Sequence, residues 1–298
     1  MPGIWVADMG VSLNSLCINC LLGKHIAKAR SLGSEETALA FTKAAMQLML
    51  DADPETNSTI LGKQINDLYM TFYHLPQDQY QEEKEFSNRF VMERLPRIAR
   101  QVASAADPIL AGLQYAIMGN YIDFSALGKS VSFDTLDDML TRPESFPIDH
   151  AAYQAFLQDL QRAKNLLYIT DNAGEIGFDM VLAQQLSKAF PHVKITFCVR
   201  GGPAHNDATR ADAQFIGLPF PVIDSGCDIG GMPLALIGSQ AKDAMEQADI
   251  ILSKGMGNVE CLYGCGMNIY YAFLIKCPRL AQVFDKPHMS SMFVRERA

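Results

Sequence analysis

Along the first half of the chain, apolar residues recur at intervals of three and four. Over residues 35–51, Ala38, Phe41, Ala44, Ala45, Leu48 and Met49 fall at the spacing of one helical face. After the break at 53–57, Ser58 is placed to cap a second helix running to about Tyr73. Further helices are expected over 82–94 and from Asp107-Pro108 to Met118, where Gly119 and Asn120 stop the pattern. Pro96 is expected to begin or kink a successor, and residues 132–140 to form a short helix before Pro143. Strand-like alternation is nearly absent up to this point. The region reads as all-helical.

From Asp149 the grammar changes. A helix over 151–163 leads into an apolar run at 165–170, then a helix over 177–189 and a strand at 193–199. A helix toward Phe215, a short strand at 221–224, a helix around 240–247 and strands at 249–253 and 268–275 follow. Regular alternation of strand and helix implies a parallel sheet covered on both faces. The expected fold class is therefore α/β, a three-layer α/β/α sandwich with a mainly parallel sheet, preceded by an all-α domain. The Pro143–Pro147 region marks the expected boundary, giving domains 1–147 and 148–298.

Composition narrows the partners. The 298 residues suffice for one large or two ordinary domains, and a charged fraction of 19% is that of an ordinary globular protein. A net charge of -8 and the lack of any Lys/Arg run argue against a nucleic-acid surface. No apolar stretch reaches the roughly 18 residues of a spanning helix, and no basic segment followed by an apolar core opens the chain. Seven scattered cysteines do not suggest a disulfide framework, so a reduced, cytoplasmic setting is expected.

In a parallel sheet all carboxyl ends share one edge. The first strand is followed there by Asp171, Asn172, Gly174 and Glu175, the second by Asn206 and Asp207, and the third by Asp224, Ser225 and Asp228. The fourth is followed by Lys254, Gly255, Gly257 and Asn258. Carboxylate and carboxamide oxygens suit Mg²⁺ or Mn²⁺, a lysine opposite them suits a phosphate, and glycines let backbone N–H groups approach it. Each piece alone would serve as a cap or turn. Their convergence on one edge favours a phosphoryl-transfer or phosphate-hydrolysis site.

Six segments in order resemble the damage-control phosphatase family, whose ARMT-like domain was formerly a domain of unknown function. They are Cys17-Ile-Asn-Cys20, Gly119-Asn-Tyr-Ile-Asp123, Thr170-Asp-Asn-Ala-Gly-Glu175, Asn206-Asp207, Lys254-Gly-Met-Gly-Asn258 and Lys276-Cys277-Pro278. The first is similar to the mostly prokaryotic Cys-x-x-Cys subgroup. The resemblance implies a metal-dependent phosphatase acting on small phosphorylated metabolites. It implies a divalent ion (Mn, Mg, Co or Ni) at Asp171, Asn172 and Asp207. Lys254 would then bind the phosphate, with Gly174, Gly255 and Asn258 around it, and Asn120 and Asp123 would reach the site from the helical region. Glu175 is either a base that orients water or a first-turn carboxylate favoured by the helix dipole.

Three other chemistries compete. Asp171, Gly174 and Gly177 loosely match the turn of an S-adenosylmethionine-dependent carboxyl methyltransferase, but the second strand ends Cys198-Val199-Arg200, without an acid for the ribose. A haloacid-dehalogenase-type nucleophile would need Asp-x-Asp, whereas Asp171-Asn172-Ala173 suits a metal ligand and attack by water. Cys17 and Cys20, a possible second metal or redox pair, could join Cys261 and Cys265 in a zinc site; two partly buried thiols are the plainer expectation.

Overall fold

The structure, a computed structural model, describes residues 10–53, 56–121 and 137–296. It opens with α1 (Ser15–Leu32), α2 (Glu35–Leu50) and α3 (Ser58–Tyr73). Each begins at a polar cap: Asn14 accepts from the N–H groups of Leu16 and Cys17, Ser34 from Thr37, and Asn57 from Ile60. Their apolar faces meet in a cluster around Phe41, Leu61, Ile65 and Tyr69.

Next come α4 (Gln81–Ser104) and α5 (Pro108–Gly119). The expected break at Pro96 does not occur, because α4 runs through it. An interior proline costs about 3 kcal/mol, but Val91 and Leu95 before it and Ile98 and Val102 after it are all buried. That burial offsets the lost hydrogen bond. Most of the short helix expected at 132–140, and Asp123, lie outside the described residues.

The second half runs α6 (His150–Leu160), β1 (Asn165–Ile169), α7 (Glu175–Ala189), β2 (Lys194–Val199), α8 (Arg210–Phe215) and β3 (Val222–Asp224). Then follow α9 (Ser239–Gln247), β4 (Ile250–Lys254), α10 (Met256–Leu262), β5 (Ile269–Leu274), α11 (Pro278–Phe284) and β6 (Ser291–Arg295). The sheet order is β3-β2-β1-β4-β5-β6. Neighbours from β3 to β5 pair parallel, and β6 returns antiparallel on β5. The mainly parallel sheet agrees with the expectation; α10, α11 and β6 were not expected.

Alternate strand residues feed opposite faces. Leu166, Tyr168, Ile250 and Leu252 join α4, α5, α6 and α7 in one cluster. Leu167, Ile169 and Ile251 join α9 and α10 in the other. The first cluster carries α4 and α5 onto the sheet, across the boundary expected near residue 147. Among the described residues no helix is long and apolar enough to cross a membrane. From β1 the order runs one way to β2 and β3 and the other way to β4 and β5, so the switch point of the sheet lies between β1 and β4. Ligands bind at such a point in open α/β sheets.

Candidate active site

Main-chain hydrogen bonds bring two loops together at that switch point. The N–H of Ala208 donates to Asp171 O (2.7 Å) and that of Ala173 to Asn206 O (2.9 Å), so Asn172 and Asp207 form an isolated antiparallel bridge. Asp207 therefore lies beside Asp171-Asn172 whatever the side chains do. From above, α4 closes on the turn: Gly174 donates its N–H to Asn88 Oδ1 (2.7 Å), and a Cβ there would lie 2.9 Å from Ser87 O. Gly174, expected near phosphate, has its N–H committed to α4. Gly255 instead approaches Asp171, whose carboxyl carbon would lie 2.0 Å from a Cβ at residue 255.

The side chains form a graded network. Asp171 Oδ2 accepts from Nδ2 of Asn120 (2.8 Å) and of Asn172 (2.8 Å). Asn120 Nδ2 also reaches Glu175 Oε2 (3.1 Å), while its Oδ1 accepts from the N–H of Leu274 (3.2 Å). Glu175 Oε2 takes a further bond from Asn172 Nδ2 (2.8 Å). Behind it, the Lys254 ammonium donates to Ala116 O (2.7 Å), Glu175 Oε1 (2.5 Å) and Asp179 Oδ1 (2.8 Å). Three donors meet three acceptors. Tyr168 donates its hydroxyl to the same Asp179 oxygen (2.7 Å).

Exposure separates the expected ligands into two groups. Asp171 keeps 13% of its side chain exposed and Asp207 9%, whereas Glu175 and Lys254 keep none. Lys254, expected on the phosphate, is thus sealed beneath Glu175 with its donors spent. Asn258 is equally enclosed: its Nδ2 donates to Thr170 O (3.1 Å) and Lys254 O (2.6 Å), tying β1 to β4. Asp171, Asn172, Asp207 and Asn120 are brought together at the open edge, with Glu175 behind them.

Arg200 was missed as a site residue, although it directly follows β2 on the same edge. Its Nε donates to Asp207 Oδ2 (2.5 Å), its Nη2 donates to Asn258 Oδ1 (3.0 Å), and Nη2 also lies 4.0 Å from Asp171 Oδ1. A nucleoside site would want a carboxylate there; this chain buries a cation. Asp179 was missed too, though it sits four residues from Glu175 on α7.

Burial pushes the Asp171 carboxyl well above its ordinary range, and the carboxylates of Asp207 and Glu175 add to this; Arg200 and Lys276 act the other way. Asp179 is pushed up to about 6, by burial first and by Glu175, against the pull of Lys254. Burial works against the Lys254 charge, but Asp179 and Glu175 outweigh it, so the ammonium holds its proton more firmly than usual.

A cavity of about 270 Å³ adjoins the edge, walled by Lys24, His25 and Lys63 on one side and His205, Gly230 and Lys276 on the other. A Cβ on Gly230 would stand 4.0 Å from Asp207 Oδ2, so the cavity wall adjoins that carboxylate. Cys17 and Cys20 also line it. Cys261 instead lies against Thr59 Oγ1 (3.2 Å), and all seven cysteines are free thiols. Among the described residues no three His, Cys, Asp or Glu groups are arranged to hold a metal, so the four-cysteine zinc site does not form. At the sheet edge the candidate donors are two carboxylates and a carboxamide.

The family model described as damage-control phosphatase ARMT1-like domain matches residues 13–292. A damage-control phosphatase of Archaeoglobus fulgidus is 26% identical over 283 residues, 91% of this chain and 95% of the relative. One from Pyrococcus horikoshii is 32% identical over 188 residues, 62% of this chain and 64% of that one. The crystal structure of a DUF89 family protein from Pyrococcus horikoshii superimposes with a TM-score of 0.82 at 25% identity, covering 96% of this chain and 100% of that one.

Proposed function

The chain belongs to the damage-control phosphatase ARMT1-like family, and from that membership we propose that it hydrolyses phosphate monoesters of small metabolites with a divalent cation at Asp171, Asn172 and Asp207. One observation carries this reading. Two partly exposed carboxylates and a carboxamide are locked side by side by main-chain hydrogen bonds at the switch point of the sheet, next to a small cavity. Oxygen-only donors at a partly open edge fit a cation such as Mn²⁺ or Mg²⁺, with Co²⁺ or Ni²⁺ as substitutes. When bound, such an ion supplies Lewis-acid charge to the phosphoryl oxygens.

The chain's own residues set up the rest. Glu175 is sealed from solvent and accepts from both Asn120 and Asn172, which supports an orienting role for it in place of proton transfer. Lys254 supplies the charge that lets Glu175 and Asp179 remain buried together. The phosphate's counter-charge is assigned to Lys276, which lines the cavity and draws the Asp171 carboxyl toward its ionised form. The alcohol part of the ester occupies the cavity, whose size suits a metabolite of sugar-phosphate dimensions.

The test is phosphate release from a panel of sugar phosphates and p-nitrophenyl phosphate, with Mn²⁺, Mg²⁺, Co²⁺ or Ni²⁺ and with chelator. Cation-stimulated hydrolysis of at least one substrate is expected; none from any substrate overturns the reading. Asp171→Ala should remove activity while its far-UV circular dichroism stays that of the wild type. Full turnover by that variant would place the chemistry elsewhere.

A further inference from the structure

We propose that Arg200 is a positioning residue of the cation site, holding Asp207 in the orientation a divalent ion requires. The inference rests on the cation-site reading above and adds a residue that neither the motif resemblance nor the comparisons assign. Arg200 closes the loop that carries Asp207 twice. Its main-chain N–H donates to Ala208 O (2.9 Å), and its Nε donates to Asp207 Oδ2 (2.5 Å) across the same loop. One residue thus fixes both the backbone path and the plane of the carboxylate.

The guanidinium is itself held. Nη2 donates to Asn258 Oδ1, and Asn258 is anchored by two carbonyl oxygens, Thr170 O and Lys254 O. The fork therefore connects the ends of β1, β2 and β4 through one rigid plane, with 1% of the side chain exposed. Nη2 lies 4.0 Å from Asp171 Oδ1, too far for a hydrogen bond. Of the two carboxylates, Asp207 takes the hydrogen bond from the fork, while Asp171, within ion-pair range of it, is oriented by Asn120 and Asn172.

A lysine could keep the charge at this position but not the geometry. The fork donates to Asp207 from Nε and to Asn258 from Nη2, two fixed points of one plane, whereas an ammonium donates from a single rotatable nitrogen. A purely structural ion pair would influence stability and leave cation affinity untouched. Groups that orient a metal ligand do more: their loss weakens binding by about 10–100-fold. Repulsion between the guanidinium and the incoming cation acts in the opposite direction, so the sign of the change identifies which effect governs.

The measurement is calorimetric titration of full-length protein, stripped by chelation, with Mn²⁺ alone. Wild type should bind one ion, and Arg200→Gln with a wild-type circular dichroism spectrum should bind it about 10–100-fold more weakly. Arg200→Lys should fall between them, measurably weaker than wild type. Unchanged or tighter binding by Arg200→Gln overturns the proposal. If that variant does not fold, Arg200→Lys decides: binding at wild-type affinity is then the overturning result. Wild-type protein that takes up no Mn²⁺, Mg²⁺, Co²⁺ or Ni²⁺ refutes the cation site itself, before any variant is compared.

Discussion

Lys254 and Lys276 spend their charge in different places. Lys254→Met would strand Glu175 and Asp179 with no cation between them, and removing one partner of a buried charge cluster costs about 3–5 kcal/mol. Lys276→Met should raise KM for the phosphate ester roughly tenfold or more, as loss of a charged hydrogen bond would. A stable Lys254→Met with raised KM would return the phosphate to Lys254. The inward aim of Lys254 was legible: it continues the alternation of Ile250 and Leu252, both buried in the cluster under α5 and α7. Its partners were not, because the rotation of α7 that delivers Asp179 depends on tertiary packing. The residues that do converge, Asp171, Asn172 and Asp207, were legible because they end strands on one edge. Tyr69 donates its hydroxyl to His25 O (3.0 Å), so the ring must offer Nδ1–H to the phenol oxygen (3.1 Å). Burial first, then His205, Lys28 and Lys24, lower its pKa from 6.5 to about 4. The unfolded chain thus binds the extra proton between those values, and stability that is intact above pH 6.5 drains away toward pH 4, on the order of 3 kcal/mol. Thermal melts across that window should show a shallower slope for His25→Gln; an identical slope would acquit His25.

Elements explain why the edge has its shape. The turn from β4 into α10 brings Gly255 against Asp171 with φ +76°. Gly255→Ala adds backbone strain of about 1–3 kcal/mol and a Cβ whose distance to the Asp171 carboxyl carbon is only 2.0 Å. The carboxylate must move, and displacement by about 1 Å in a catalytic constellation costs about 100-fold. Gly266→Ala is the control: its φ is also +76°, but nothing lies within 4 Å of the added Cβ. It should lose stability to strain and keep kcat/KM. Equal kcat/KM losses in the two variants would mean that strain, not contact with Asp171, sets the effect. The sequence pattern locates strand ends well, since apolar runs are short and bounded. It fails at α10, where a glycine-rich stretch reads as loop, and at α4, where burial on both sides carries a helix through Pro96. Both failures have one cause: tertiary burial outweighs local propensity.

The shift from helical to alternating pattern near Pro143–Pro147 marks a change of secondary structure, but a change of grammar does not say what packs on what. Val91 and Leu95 of α4 and Leu113 and Ile117 of α5 share a cluster with Phe178 and Leu182 of α7 and with Tyr168 of β1. Gly112 allows that closeness, since a Cβ there would be 3.2 Å from Leu182 Cα. The same two helices complete the site: Asn88 holds the Gly174 N–H, Ala116 O receives the Lys254 ammonium, and Asn120 contacts Asp171. Residues 148–298 alone would therefore expose the outer face of α7 and strip Lys254 of an acceptor inside a charged cluster. Hydrophobic collapse could still form the parallel sheet, without the fixed packing that α4 and α5 impose. Such a fragment should retain far-UV circular dichroism, lose its near-UV signal and bind a hydrophobic dye, as a molten globule does. It should bind Mn²⁺ far more weakly than the full chain. A fragment with dispersed amide resonances and a cooperative melt would show instead that the α/β half folds alone, and that α4 and α5 only cap a site already built.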